Sequence, residues 1–373
     1  MTNTPLTVLD LVPIASGSTA STAIANSIDL ARHAEEAGYA RYWFAEHHLN
    51  PGVAGTSPAV LLALTASATS TIRLGTAAVQ MGHRTALSTV EEFGLLDAVH
   101  PGRFDLGLGR SGGKPPDALV ATTPRPITDG RTDNGLPIPA PFDWSQLFGS
   151  PRIALAQGLL QLPGAVPQDY AEQVGDVLTL LAGEYVDENG QEAHVVPGEG
   201  ADLQVWILGS SAGSSARVAG EHGLRFGANY HVSPATVLEA VDAYRSTFIA
   251  SDDLEVPHVS VSADVVVADT HADAVELASG YAPWVRSIRS LEGAIEFPTP
   301  EQARAFTWSD DDAALVADRI ETQFVGTPSE VADHLERLRD ATAADELIVT
   351  TITHDHRDRL RSYQLLADEW DRR

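Results

Sequence analysis

The chain has 373 residues, 43% of them hydrophobic and 20% charged, with no cysteine and a formal charge of −27. That length and apolar share can bury a large core, and α/β barrels use such a length as one domain. The missing cysteine excludes disulfides, thiolate metal sites and a cysteine nucleophile, and the acidity disfavours nucleic acid and anionic membranes. The opening MTNTPLTVLDLVP has no basic n-region, and no apolar run is long enough to cross a bilayer. A soluble cytoplasmic protein is expected. Lys114 is the sole lysine. An anionic ligand would therefore need arginine and backbone N–H groups, held against the global field.

Residues 6–12 read as the first strand. The stretch 22–37 is an amphipathic helix, with Ile24, Ile28, Ala31 and Ala34 near one face and Gly38 at its end. A second strand is expected at 41–45. A helix then starts at Ser57–Pro58, with Ser57 as N-cap, and runs to about 70. The third strand is 72–79, followed by a helix at 88–99. Pro101-Gly102 turns into the fourth strand, 103–109.

Residues 110–166 break this rhythm. They are rich in Pro, Gly, Asp and Thr, which reads as a lid over the site or as a decorative insertion. Regular patterns resume with a helix at 168–181, a strand at 204–209, a helix at 211–222, a strand at 226–231 and a helix at 234–250. The seventh strand is 259–267. A second irregular stretch runs to about 306. A helix at 328–340, the eighth strand at 346–353 and a helix at 356–370 finish the chain. Eight strands alternating with helices predict a (β/α)₈ TIM barrel spanning 1–373 as one domain, with long insertions after strands 4 and 7 and a site on the C-terminal face. A doubly wound open sheet is the competing architecture.

Three polar clusters end successive strands: Glu46-His47-His48, Gln80 through Arg84, and Arg110-Ser111. Clusters at successive strand ends point to one shared site. Adjacent histidines at a strand tip point in different directions, so one can be catalytic and the other structural; both can also be satisfied core residues. No metal is expected, because no third ligand stands at a known spacing. The run Gly209-Ser210-Ser211-Ala212-Gly213-Ser214-Ser215 joins a strand to a helix start. Free N–H groups and small hydroxyls there make a phosphate cradle without a Walker lysine, against the alternative of an ordinary serine N-cap. Arg110 can pair with phosphate, carboxylate or an electron-rich ring, or sit in a rim salt bridge.

WFAEHH, IRLGTAAV, HPGRFDLGLGR, WILGSSAGSS and the late FVGTPSEVADHLERL…ADELIV occur in this order. Together they resemble the bacterial luciferase-like flavin-dependent monooxygenase family, in its alkanal monooxygenase-like branch. The similarity covers about 5–113, weakens across 114–167 and returns from about 204. The resemblance implies a barrel that binds FMN. His48 or His47 falls near the flavin, with His48 the candidate acid/base. Ala77-Ala78 falls where the family often has a non-prolyl cis peptide against the flavin ring. Arg110 falls on the phosphate arginine, and Ser210, Ser211 and Ser214 fall on the phosphate turn. Gln80, His83 and Tyr230 are expected as substrate wall.

The implied reaction uses reduced FMN, supplied by a separate reductase, and O₂, through a flavin C4a-hydroperoxide that oxidises a small aldehyde-like substrate. The implied assembly is a homodimer through the helices at about 57–70 and 86–99. The alternatives are a deazaflavin-dependent hydride-transfer oxidoreductase of the same barrel family, a non-catalytic flavin-binding protein and, last, a metal-dependent hydrolase. Departures at 110–166 and 270–306 leave substrate specificity and light emission outside what the resemblance implies.

Overall fold

The computed structural model describes residues 4–110, 130–143 and 151–373. The strands are β1 Leu6–Asp10, β2 Arg41–Phe44, β3 Arg73–Thr76, β4 Val79–Gln80, β5 Phe104–Gly109, β6 Leu203–Gly209, β7 Arg225–Asn229, β8 Val259–Val267, β9 Phe324–Gly326 and β10 Glu346–Thr350. They run in the order β10-β1-β2-β3-β5-β6-β7-β8, every neighbour parallel, and β8 pairs back to β10. Eight parallel strands thus close a (β/α)₈ barrel, and the open-sheet alternative falls.

Each strand hands over to a helix on the outside. These are Ala20–Glu36, Pro58–Ala66, Ala86–Val99, Tyr170–Ala182, Ser214–Glu221, Val237–Thr247, Pro328–Thr342 and His356–Trp370. Local signals set their ends. Thr19, Thr85 and Asp169 accept hydrogen bonds from first-turn N–H groups, and Thr327 forms a capping box with Glu330. Pro58 opens its helix as expected, but Ser57 makes no side-chain cap bond. Gly38 and Gly183, both at positive φ, end theirs.

Three expectations need correction. The run at 72–79 is two strands, because the Ala77–Ala78 peptide between β3 and β4 is cis and turns the chain. The stretch after β8 is not irregular: it holds helices His271–Ala278, Tyr281–Arg289, Pro300–Ala305 and Asp310–Thr322. Capping boxes at Thr299 and Ser309 nucleate the last two, and Pro283 lies in a first turn, where it costs no hydrogen bond. β9 then pairs with the last residues of β8, Val265–Val267, beyond the part of β8 that β10 uses. Within 110–166, Pro151–Leu160 is helical.

The N-terminal end of the barrel is plugged. Trp43 and Trp206 meet edge to face at 4.9 Å. Arg41 binds Asp105 at 2.8 Å and Glu346 at 3.1 Å, and Arg73 reaches Asp105 at 2.8 Å. Trp43 Nε1 donates to Asp105 at 2.8 Å. Buried charge here is paired and hydrogen-bonded, as it must be to survive away from water. Any ligand has to enter from the other end.

Candidate active site at the C-terminal face of the barrel

The strand tips at that end surround a cleft of about 620 Å³. This lies within the ~300–1,000 Å³ typical of cofactor and ligand pockets. Its lining includes Glu46, His47, Ala77, Ala78 and Gln80 from the β2–β4 tips. It also includes Arg110, Ser210, Ser211 and Ser214 from the β5 and β6 tips. Ser111 of the third polar cluster lies outside the described residues.

The cradle forms where β6 ends. The chain turns through Ser210 to Gly213 and enters helix Ser214–Glu221, whose N-cap Gly213 has no side chain to satisfy the first N–H groups. Gly209 lets the turn pass close, since a Cβ there would meet Phe226 and Ser215 at 3.0 Å. Arg110 leaves β5 beside it and donates to Ser214 Oγ at 3.1 Å. Arg110 has no carboxylate partner among the described residues. A guanidinium, small hydroxyls and an uncapped helix start converge on one point, which suits a phosphate.

At the β2 tip, Glu46 is buried and organises what surrounds it. Its Oε1 accepts from His48 Nε2 at 2.9 Å, His83 Nε2 at 3.1 Å and Arg84 at 3.3 Å, and its Oε2 accepts from the Gln80 N–H at 2.9 Å. Burial opposes the charge, but the hydrogen bonds from His83 and Gln80, with the Arg84 cation and His48, hold the carboxyl down at about 2. The three ligand atoms of Glu46, His48 and His83 lie within 4.8 Å of one another, as a metal set would. Arg84, which also binds Glu92 at 2.9 Å, reaches the same oxygen beside the two imidazoles, so the cluster reads as a hydrogen-bonded brace for the strand tips.

His48 and His83 belong to this brace, rings edge to face at 5.1 Å, and neither lines the cleft. His47 does. Burial and the neighbouring His48 push its pKa down to about 4, so the imidazole is neutral at pH 7. Its Nδ1 has no partner among the described residues. Behind it the cis Ala77–Ala78 unit presents two methyl groups to the cleft, and Ala78 fits because a Cβ on Gly109 would stand only 3.0 Å away.

Tyr230 was expected in the wall and is not there. Its ring is fully buried and its hydroxyl donates to the Pro137 carbonyl at 2.8 Å. Side chains alternate beyond β7, so Asn229 and His231 face the cleft instead. His231 Nδ1 is hydrogen-bonded to Ser262 Oγ, whose own hydrogen goes to the Ala228 carbonyl at 3.3 Å. Burial pushes His231 down to about 4 as well. The cleft is also lined by residues that no sequence motif marks: Asp264 of β8, which binds Arg319 at 3.0 Å and accepts from Tyr281, and Arg152, Trp284 and Arg289.

The sequence model of the luciferase-like monooxygenase family matches residues 4–132 and 168–345. The chain belongs to the luciferase-like monooxygenase family. It is 33% identical over 362 residues to a luciferase-like monooxygenase of Escherichia coli (strain K12), covering 96% of this chain and 95% of the relative. The solved structure of apo-MsnO8 superposes with a TM-score of 0.80 at 28% identity, covering 99% of this chain and 98% of that one. The oxygenating constituent of 3,6-diketocamphane monooxygenase from Pseudomonas putida, solved with FMN, shares the fold at a TM-score of 0.64 and 18% identity, covering 98% of this chain and 97% of that one. Membership places the chain among oxygen-incorporating enzymes.

Proposed function

We propose that the chain is an FMN-dependent monooxygenase acting on a small organic substrate. The observation that carries this is the cradle: Arg110 lacks a carboxylate partner among the described residues, and it stands at an uncapped helix start lined by serines. In a chain of charge −27 an unneutralised cation turned inward favours an anionic ligand. Arg110, Ser210, Ser211 and Ser214 would hold the phosphate of FMN. The Ala77–Ala78 methyls would support the ring.

When bound, reduced FMN supplies the two electrons with which one oxygen atom of O₂ goes to substrate and the other to water. The chain's own part is to bind, orient and keep water out. His47 is the cleft-facing histidine, and being neutral at pH 7 it offers one N–H and one lone pair to the reacting groups. His231 stands as a second neutral imidazole on the β7 side. His48 acts through Glu46 and the brace, so the acid/base role expected of it passes to His47. The reduced cofactor would come from a separate reductase, and the working unit would be a homodimer.

The test is a titration of the purified chain with oxidised and reduced FMN, oxidised and reduced riboflavin and reduced deazaflavin, followed by O₂. Reduced FMN is expected to bind at least ~10-fold more tightly than reduced riboflavin, the scale of a charge-assisted contact. Release of H₂O₂ should be slower than from free reduced FMN. Tight deazaflavin binding, with no effect on the fate of oxygen, would instead favour hydride transfer. Bound FMN with no oxygen effect and no substrate turnover would leave a flavin-binding protein.

A further inference from the structure

The cleft's charged residues pair off with two exceptions. Glu46 is met by Arg84, Asp264 by Arg319, and Arg289 by Asp318. Arg110 serves the cradle. That leaves Arg152, which lines the cleft and has no carboxylate partner among the described residues.

Arg152 is not a loose surface cation. One nitrogen, Nη2, donates to the Leu49 carbonyl at 2.6 Å and to Asn50 Oδ1 at 2.9 Å, both neutral acceptors. Asn50 is itself fixed, since its Oδ1 accepts from the Ala294 N–H at 3.0 Å and its amide donates to the His48 carbonyl at 3.0 Å. Gly293, at positive φ, makes room: a Cβ there would stand 2.1 Å from the guanidinium. The Arg152 Nε and Nη1 donors meet no acceptor among the described residues. Among the described residues the guanidinium is therefore held from one edge and keeps donors free on the other.

Its place in the barrel matters. Leu49 and Asn50 follow β2, whereas the cradle lies at the β5 and β6 tips, further round the ring of strands. Beside Arg152 the wall is apolar: Ile153, Trp284, Val285, Ile288 and Ile352 all line the cleft. A cation backed by an apolar wall suits a molecule with one anionic end and an apolar body.

We propose that the substrate is an apolar carboxylic acid whose carboxylate is bound by Arg152. This rests on the FMN reading, because a cofactor anchored at Arg110 is what leaves the Arg152 end for substrate. The organic body lies along Trp284, Val285 and Ile288, in the same cleft as His47. A neutral analogue of the same length would leave the guanidinium donors unmet.

The experiment uses the full chain loaded with oxidised FMN and compares octanoate with octan-1-ol by calorimetric titration, in the natural chain and in Arg152→Gln and Arg152→Lys. Octanoate should bind at least ~10-fold more tightly than the alcohol, as a charge-assisted contact predicts. Arg152→Gln should remove that preference while octan-1-ol and FMN binding stay unchanged, and Arg152→Lys should keep part of it. Equal affinity for acid and alcohol in the natural chain overturns the proposal. So does an octanoate affinity that Arg152→Gln leaves untouched in a protein of normal melting temperature. Failure of the cofactor reading shows separately, as absent FMN binding. Octanoate titrated into the FMN-free chain then still reports on Arg152.

Discussion

In the proposed function Arg110 and His47 have separate parts, and each can be tested alone. Arg110→Ala should weaken FMN at least ~10-fold and leave riboflavin binding nearly unchanged, because in the proposed complex only the phosphate would meet the guanidinium. Fluorescence titration of both flavins reads this directly, and equal losses would remove Arg110 from the phosphate. His47→Gln should keep FMN and lower kcat, by ~10-fold or more if the imidazole handles a proton. The pH dependence has a definite sign. His47 and His231 titrate near 4 in the fold, against an ordinary 6.5. Between those values the unfolded chain takes up protons that the folded chain refuses. Stability present above pH 6.5 is therefore lost as pH falls toward 4. Melting temperature against pH should drop across this window, and the double variant His47→Gln, His231→Gln should flatten the drop. Glu46, at about 2 rather than 4.5, adds its own loss only at lower pH.

At the scale of elements, close approach of β5 to its neighbours is what sets the strand tips. Residues 107–112 spell G-x-G-x-x-G, but Gly107 and Gly109 lie within β5 itself and serve packing. A Cβ on Gly107 would stand 1.9 Å from the Thr76 carbonyl oxygen and 2.8 Å from Leu208. Thr76 Oγ1 locks the same spot, accepting from the Gly107 N–H and donating to its carbonyl, both at 3.0 Å. Backbone cannot yield there, so Gly107→Ala should cost at least ~1–3 kcal/mol by denaturant unfolding. An unchanged midpoint would mean the tips relax freely. Barrel strands were legible because each carries an apolar run with a turn signal at its end. The cradle was legible because small polar residues crowd a strand-to-helix turn. The break at Ala77–Ala78 was not legible from the residues alone, since two alanines inside IRLGTAAV look like continuous strand; only the family resemblance marked it. His231 was missed by one position: alternation past β7 puts Asn229 and His231 inward and Tyr230 outward. Arg152 sat in a stretch whose composition hid its short helix, and the first three helices after β8, of 8, 9 and 6 residues, are too short for periodicity to reveal. The capping boxes at Thr299 and Ser309 were the available signal.

For the whole molecule, the outside of the barrel bears on assembly. Helices Pro58–Ala66 and Ala86–Val99 pack beside one another, and each buries one face through residues such as Leu62, Val90 and Phe93. Their other faces carry exposed apolar side chains, Val60 at 59%, Leu95 at 59% and Val99 at 70%, with exposed Glu91 on the row between Leu87 and Leu95. Pro58–Ala66 is apolar all round, as buried helices are, so this face calls for a cover. In the proposed homodimer a second copy would supply it with the same residues, as a twofold contact requires. The charge of −27 opposes that contact, because two such surfaces repel over roughly a Debye length, ~10 Å at 0.1 M salt. Apolar burial does not weaken with salt, whereas the repulsion does. Light scattering should therefore find a dimer whose dissociation constant falls as NaCl is raised. Leu95→Glu should shift it to monomer by placing a charge in the apolar contact. Another exposed apolar stretch, Leu155 and Leu159 on helix Pro151–Leu160, provides the control. Leu159→Glu should leave the dimer intact, and a monomer from that variant, with none from Leu95→Glu, would move the interface to the insertion.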